Sequence, residues 1–300
     1  MLHRRLGRSD LDVSVISFGC MSLGQDQADN ERVIHRALDL GINMFDTADM
    51  YAHGDNEVSL GKALQGRRQS VAIATKVGNQ WRPDGSGWDW NPSRSYIENA
   101  VHESLKRLGT DYIDLYQLHG GTIDDPMDET VEAFESLKVS GAIRHYGISS
   151  IRPNVIAAWL KRSGIVSVMM QYSLLDRRPE EQCLGWLRDA DVGVLVRGGL
   201  AKGLLAGKPS AAYLDHDVDA VGEVQQRLAS MAGETTPGHT AIGYCLAHPA
   251  VTSVACGIRT LSQLEDNAAA ADRAALEPAD IEALRARAPA SRYEAHRTPE

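Results

Sequence analysis

Three apolar segments of the sequence each end in an ionisable side chain. The first ends in Asp46 and is followed five residues later by Tyr51, the second ends in Lys76, and the third is followed by His119. A carboxylate, a phenol, an amine and an imidazole in one place could exchange a proton with a bound molecule and stabilise developing charge. Taken singly, Asp46 could cap a helix, Lys76 could lie in solvent and His119 could be a satisfied core histidine. Their joint occurrence favours a site.

These side chains meet only if the strands that carry them are parallel, because the carboxyl ends of parallel strands open onto one face. Apolar segments alternate with amphipathic helices along the chain, as at 94–108, where Ile97, Val101 and Leu105 share a helix face. Other helices are predicted at 30–40 and 128–140. Strands are predicted at 14–19, 42–46, 71–76, 112–118, 143–148, 167–171, 192–196 and 252–256. Eight strand-helix units predict a closed (β/α)8 TIM barrel.

The first dozen residues alternate around Arg8-Ser9-Asp10 and predict a β-hairpin that caps the closed end of the barrel. Nothing in the sequence resembles an interdomain linker, so residues 1–300 are predicted to form one domain, with a polar tail at about 289–300. Two segments, at 80–92 and at 206–219, interrupt the alternation of strands and helices, and both are predicted to follow strands at the open end of the barrel.

Asp46, Tyr51, Lys76 and His119 resemble the Asp, Tyr, Lys and His of the aldo-keto reductase family. The resemblance runs from Leu6-Gly7-Arg8-Ser9 to Cys256-Gly257-Ile258-Arg259 and on to Asn267, which is nearly the whole chain. It implies reduction of aldehydes or ketones to alcohols by hydride from a nicotinamide cofactor.

In that reaction the carbonyl oxygen gains negative charge and needs a proton donor. Tyr51 is expected to be the general acid, with a pKa lowered by the ammonium of Lys76, while Asp46 keeps Lys76 charged. His119 is expected to donate a hydrogen bond that orients the carbonyl. No metal is required.

No G-x-G-x-x-G or phosphate-loop motif is present, so the cofactor is expected at the last strand ends of the barrel. Arg259 near a 2′-phosphate favours NADPH, with NADH less favoured. Arg197 and Gly199 stand where many family members have an aromatic residue and a proline, and Ser150 where many have Asn. The cofactor residues that the resemblance implies are Asp46, Ser149, Ser150, Gln171, Arg197, Gly198, Leu200, Lys202, Gly203, Lys208, Gly257, Arg259, Gln263, Asp266 and Asn267.

The substrate pocket is expected to be formed by Met21, Tyr51, Trp81 and His119. Trp81 shares its Gly/Pro-rich loop with Trp88 and Trp90, and rigid aromatic walls suit an apolar substrate. The alternative is that these tryptophans pack the loop down, and it stays open for Trp88 and Trp90.

Composition excludes several other classes of protein. The net charge of -9, from 31 basic and 40 acidic residues, disfavours nucleic acid or an anionic membrane as the partner. Four cysteines without paired spacing argue against a zinc site or disulfides and are expected to be buried in a reduced cytosol. With no signal or membrane segment, we expect a cytoplasmic protein acting on a small carbonyl compound, monomeric by default.

Two other functions are compatible with the sequence. Lys76 could be the nucleophile of a Schiff-base lyase on the same barrel, because an amine with a lowered pKa attacks carbonyls. The chain could also be an NADPH-binding sensor or regulatory subunit with little turnover.

Overall fold

The computed structural model describes residues 1–272 and 275–298. Eight parallel strands close into a barrel surrounded by helices, and two short antiparallel hairpins accompany it. In chain order the strands are β1 His3–Arg5, β2 Asp12–Ser14, β3 Ile16–Gly19, β4 Met44–Asp46, β5 Ala72–Val77, β6 Asn79–Trp81, β7 Trp88–Trp90, β8 Ile113–Leu118, β9 Ile143–Ser149, β10 Ser167–Gln171, β11 Gly193–Arg197 and β12 Val251–Gly257.

The barrel confirms the predicted fold and all eight predicted strands. Each of the eight barrel strands pairs in parallel with its two neighbours. The order around the barrel is β3, β4, β5, β8, β9, β10, β11 and β12, and β12 pairs with β3 again. The register aligns the carboxyl ends, since Gly19 pairs with both Asp46 and Gly257, and Gln171 pairs with Arg197. Side chains at these ends therefore open onto one rim.

The helices follow the predicted strand-helix rhythm. The helix predicted at 94–108 is confirmed, and it stops at Gly109, whose φ is 63°. The helix predicted from 30 begins earlier because Asp26 caps it by accepting a bond from the Asp29 amide. The helices are α1 Gln27–Asp39, α2 Asp55–Ala63, α3 Arg94–Leu108, α4 Met127–Val139, α5 Pro153–Arg162, α6 Cys183–Asp189, α7 Val218–Ala232, α8 Pro237–Leu246, α9 Leu261–Ala269 and α10 Pro278–Arg285.

The predicted N-terminal hairpin is present and closes one end of the barrel. Leu6, Leu11 and Val13 are buried in one cluster with interior side chains such as Leu115. Gly7 has a φ of +51°, and an added Cβ would lie 2.5 Å from the Val166 carbonyl oxygen. Only glycine allows so close an approach of two backbones at a positive φ.

The loop at 80–92 contains more order than the sequence suggested. Its ends pair as the hairpin β6–β7, with Asn79 opposite Trp90 and Trp81 opposite Trp88. The pattern was missed because each strand has only three residues and lies among Gly and Pro.

The cysteines are buried and unpaired, as predicted. Among the described residues, no group of His, Cys, Asp and Glu side chains is arranged to hold a metal ion. Within residues 1–272 and 275–298, no helix has the length and apolar character needed to cross a membrane.

Candidate active site

The four predicted catalytic side chains meet at the open end of the barrel. Asp46 is the last residue of β4, Lys76 lies next to the end of β5, and His119 directly follows β8. Tyr51 begins a 3₁₀ turn, Tyr51–Gly54, in the segment after β4. The parallel register explains why residues so far apart in sequence share one site.

A buried ion pair forms the base of the site. The Lys76 Nζ atom donates to Asp46 Oδ2 and to the Thr47 carbonyl oxygen, both at 2.7 Å. Lys76 is only 1% exposed and Asp46 6%. Burial alone would lower the pKa of Lys76, but the charge and hydrogen bond of Asp46, together with the nearby Tyr51 and Cys20, outweigh burial and raise that pKa. Lys76 is therefore held as a cation.

Tyr51 and His119 lie above this ion pair. The Lys76 Nζ atom is 5.2 Å from the centroid of the Tyr51 ring, and the Tyr51 and His119 rings meet edge to face at 5.9 Å. Burial raises the pKa of Tyr51, and Lys76 opposes this without cancelling it. The expectation that Lys76 would bring this pKa below its usual value is wrong in net direction, because desolvation of the phenolate is the larger effect. Tyr51 therefore keeps its proton near neutral pH.

His119 is electrically neutral in this site. Burial, with the nearby charges of Lys76 and Arg197, lowers the pKa of His119 to about 3. Its backbone amide donates to the Val77 carbonyl oxygen at 2.7 Å, and its Nδ1 atom is buried without a protein partner. A neutral imidazole can donate one hydrogen bond to a substrate oxygen without carrying charge.

Gln117 belongs to this site and was missed by sequence reasoning. It pairs with Lys76 in the β5–β8 register, is fully buried, and its side-chain amide has no partner within hydrogen-bond geometry. Burial raises the pKa of Asp46, and the charge and hydrogen bond of Lys76 act against that rise. The sequence does carry a signal for this position, because the alternation of side chains along a strand places Gln117 on the same face as the interior Leu115.

A second buried cluster lies behind the tetrad and was also missed. Glu57 on α2 is fully buried, accepts from Thr75 Oγ1 at 2.5 Å and pairs with Arg107 Nε at 2.7 Å. Asp49 lies beside this pair, donates its backbone N–H to the Lys76 carbonyl oxygen at 3.3 Å, and has a buried Oδ1 without a partner. Burial, with the charge of Glu57, raises the pKa of Asp49 to about 8.

The residues predicted to bind the cofactor lie along the same rim. Ser149, Gln171, Arg197 and Gly257 are the last residues of β9 to β12. The others lie in the segments that follow these strands, including α9: Ser150, Gly198, Leu200, Lys202, Gly203, Lys208, Arg259, Gln263, Asp266 and Asn267. Asp46 is shared with the tetrad.

Several of these side chains are already engaged by the protein. Arg197 Nη1 donates to Gln171 Oε1 at 2.9 Å, and Gln171 Nε2 donates to Asp176 at 2.8 Å. The Ser150 hydroxyl accepts from the Arg152 amide at 3.2 Å. Arg197 is thus oriented by a glutamine, an arrangement that the sequence did not reveal.

The remaining residues that were predicted to bind the cofactor present cationic groups and the start of a helix. Lys208 Nζ donates to the Lys202 carbonyl oxygen at 2.8 Å, so the two lysines lie together. Arg259 is exposed, its backbone amide donates to Gln263 Oε1 at 3.0 Å, and Thr260 caps α9. Exposed cations beside a helix N-terminus fit an anionic dinucleotide.

The predicted substrate-pocket residues also lie at the open end. Met21 is 69% exposed in the turn after β3. Trp81 is partly buried, and its ring stacks on His53 at 3.8 Å. Trp90 packs the loop down, since its Nε1 donates to Asp125 at 3.1 Å, whereas Trp88 is 47% exposed.

A groove of about 590 Å³ lies elsewhere, on the outer wall of the barrel. Its lining includes Arg177, Glu180 and Arg285. Glu180 pairs with Arg177 at 2.8 Å and accepts from the Tyr172 hydroxyl at 2.9 Å. The charged groups that line this groove are thus paired with one another.

Comparison with known proteins agrees with this geometry. The model of the aldo/keto reductase family matches residues 15–288, and the chain belongs to that family. It is therefore an oxidoreductase.

The chain closely resembles several individual proteins. A Bacillus subtilis protein described as the uncharacterized oxidoreductase YqkF is 47% identical over 99% of this chain and 100% of its own length. The holo form of aldo-keto reductase AKR11C1 from Bacillus halodurans is 50% identical, with a TM-score of 0.95 and coverage of 99% of this chain and 100% of its own. An aldo-keto reductase from Klebsiella pneumoniae, in complex with NADPH, is 25% identical, with a TM-score of 0.81 and coverage of 100% and 99%.

Proposed function

We propose that this protein reduces the carbonyl group of a small aldehyde or ketone to an alcohol, with NADPH as the hydride source. The single observation that carries the proposal is the buried Lys76–Asp46 pair beneath the Tyr51 ring, with a neutral His119 beside it. A proton donor, a fixed cation and a neutral hydrogen-bond donor are the groups that carbonyl reduction needs.

Tyr51 is the general acid in this proposal. Its raised pKa means that the phenol still holds its proton when substrate binds. As the carbonyl oxygen gains negative charge it becomes the stronger base and takes this proton, and Lys76 stabilises the phenolate that remains. Asp46 keeps Lys76 charged and in position. His119 donates a hydrogen bond to the same oxygen and fixes its orientation.

NADPH, when bound, supplies the hydride, and the strand ends of β9 to β12 are the proposed binding groove. Ser149, Ser150 and Gln171 are proposed for the nicotinamide end. Leu200, Lys202 and Gly203 are proposed for the pyrophosphate, with Gly198, Lys208 and Gly257 nearby. Arg259, Gln263, Asp266 and Asn267 are proposed for the adenosine end. The Klebsiella relative's complex with NADPH supports this choice, and exposed Arg259 would favour NADPH over NADH.

Arg197 has a proposed role of its own, because it stands where many family members have an aromatic ring. Gln171 holds its guanidinium at 2.9 Å, and its charge lowers the pKa of His119. We propose that this planar cation contacts the cofactor by stacking or through a phosphate.

The Schiff-base alternative has weaker support. A lysine that attacks a carbonyl must be a free amine. Lys76 is 1% exposed, and its pKa is raised in the Asp46 pair, so it is protonated and shielded.

We further propose that the chain acts as one barrel domain, as a cytoplasmic monomer, on a substrate selected by the loops at the open end. Met21, Tyr51, Trp81 and His119 are the proposed pocket residues.

The first experiment measures NADPH consumption with aromatic aldehydes, dicarbonyls and simple ketones, on wild type and Tyr51→Phe together. Loss of the acid should lower turnover by about 10²-fold or more. Tyr112→Phe, at a half-buried tyrosine before β8, is the matched control and should retain activity. Equal turnover in wild type and Tyr51→Phe would remove Tyr51 as the acid. Tight NADPH binding without turnover in wild type would support the sensor alternative.

A further inference from the structure

The backbone that directly follows the catalytic tyrosine is strained. Ala52 has φ 48° and ψ 42°, and His53 has φ 55° and ψ 30°, so two successive non-glycine residues are left-handed. Gly54 follows with a φ of 96°. Such conformations are unfavourable for residues with a Cβ and persist only when the surroundings hold them.

Trp81 makes contacts that stabilise this turn. Its Nε1 donates to the Met50 carbonyl oxygen at 3.2 Å, and the indole stacks on the His53 ring at 3.8 Å with 26° between the planes. Asn79, on the same strand, places its Nδ2 atom 3.3 Å from Met50 Sδ. The residues on both sides of Tyr51 are therefore tied to β6.

The hairpin that carries Trp81 is itself anchored. Trp90 lies opposite Asn79, and its Nε1 donates to Asp125 in the segment after β8. Gly78 allows this packing, because an added Cβ would lie 2.6 Å from the Trp90 ring. The hairpin can therefore act as a fixed support for the turn.

We propose that Trp81 and His53 are positioning residues that hold the strained turn and thereby fix the Tyr51 hydroxyl relative to Lys76 and His119. The proposal rests on Tyr51 being the general acid. It assigns Trp81 a role beyond that of a pocket wall, and it gives His53, which is exposed and absent from the predicted site, a part in turnover.

The two roles of Trp81 predict different kinetics. Trp81→Phe keeps an aromatic surface and loses the Nε1 donor. If Trp81 positions Tyr51, kcat should fall about tenfold for a small and a bulky aldehyde alike, with KM unchanged within about twofold, because a misplaced acid slows every substrate. If Trp81 only lines the pocket, KM should change by amounts that depend on substrate size. Trp186→Phe, at a partly buried tryptophan of α6, is the control and should leave both constants unchanged.

His53 provides an independent test, because it should act through the stack alone. His53→Ala should lower kcat by a similar factor, and His53→Phe, which can still stack, should restore most of it. In the double variant with Trp81→Ala and His53→Ala, the loss of kcat should be no greater than in Trp81→Ala alone, because Trp81→Ala already removes the stacking contact that His53→Ala removes. Additive losses, or an unchanged kcat in His53→Ala, would overturn the proposal.

Hydrogen exchange separates this proposal from the proposed function. Amides of residues 50–54 should exchange faster in Trp81→Phe and His53→Ala than in wild type, whatever the activity. If wild type reduced no carbonyl, the proposed function would fail, and faster exchange would still establish the hold on the turn. Unchanged exchange in both variants would refute that hold.

Discussion

Asp49→Asn should change how the stability of the fold depends on pH. Asp49 is 9% exposed, and burial together with the charge of Glu57 raises the pKa of its carboxyl to about 8. Arg107 and Lys76 act in the opposite direction and do not cancel this rise, while the phenol of Tyr96 also lies near Asp49. Asparagine matches the shape of the neutral acid but cannot ionise.

The magnitude follows from linkage between protonation and folding. An unfolded aspartate has a pKa of about 3.9, so the folded protein binds the proton more tightly and is stabilised at low pH. This stability is full below about pH 4 and is lost as pH rises through about 8. Each pKa unit corresponds to about 1.4 kcal/mol. Ionisation of Asp49 should therefore lower the free energy of unfolding by about 3 kcal/mol between about pH 5.5 and about pH 9.

The assay is urea denaturation of wild type and Asp49→Asn at both pH values. Other groups titrate in both proteins and cancel in the comparison. The free energy of unfolding of wild type should fall by about 3 kcal/mol more than that of the variant. Asp55→Asn, at an exposed acid on the same segment, is the control and should follow wild type. Parallel pH dependences in wild type and Asp49→Asn would refute the reasoning.

Two further predictions concern the cofactor and the carbonyl. Arg259→Ala should weaken NADPH binding by about 1 to 3 kcal/mol in a fluorescence titration and leave NADH binding almost unaltered, because only NADPH carries the 2′-phosphate. An equal loss for both cofactors would contradict that contact. His119, whose pKa is about 3, should remain neutral from about pH 5 to 8. The pH profile of kcat/KM should therefore show no fall near pH 6.5 in wild type that is absent in His119→Gln. Such a fall would mean that His119 titrates there.

The tetrad could be located from sequence because a simple rule connects it. Asp46, Lys76 and His119 each terminate a recognisable apolar strand, and parallel pairing brings such ends together. Tyr51 follows at a fixed short distance. The direction of its pKa shift could not be foreseen, because desolvation depends on how tightly the surrounding loops enclose the phenol.

The supporting residues were less accessible to sequence reasoning. Asp49, Glu57 and Arg107 come from a loop and two helices, and no periodic pattern connects them. The stack of Trp81 on His53 depends on a three-residue strand in a Gly/Pro-rich loop, where local propensity favours irregular structure. Contacts of this kind are decided by tertiary packing.

The hairpin at the closed end also determines how molecules enter and leave. With Leu6, Leu11 and Val13 filling the interior at that end, the part of the chain that the structure describes leaves the opposite rim as the shared route for the proposed cofactor and substrate. Whichever of the two lies deeper must arrive first and depart last. Steady-state kinetics would then show an ordered sequence of binding and release, imposed by a segment that lies at the far end of the barrel from the reacting atoms.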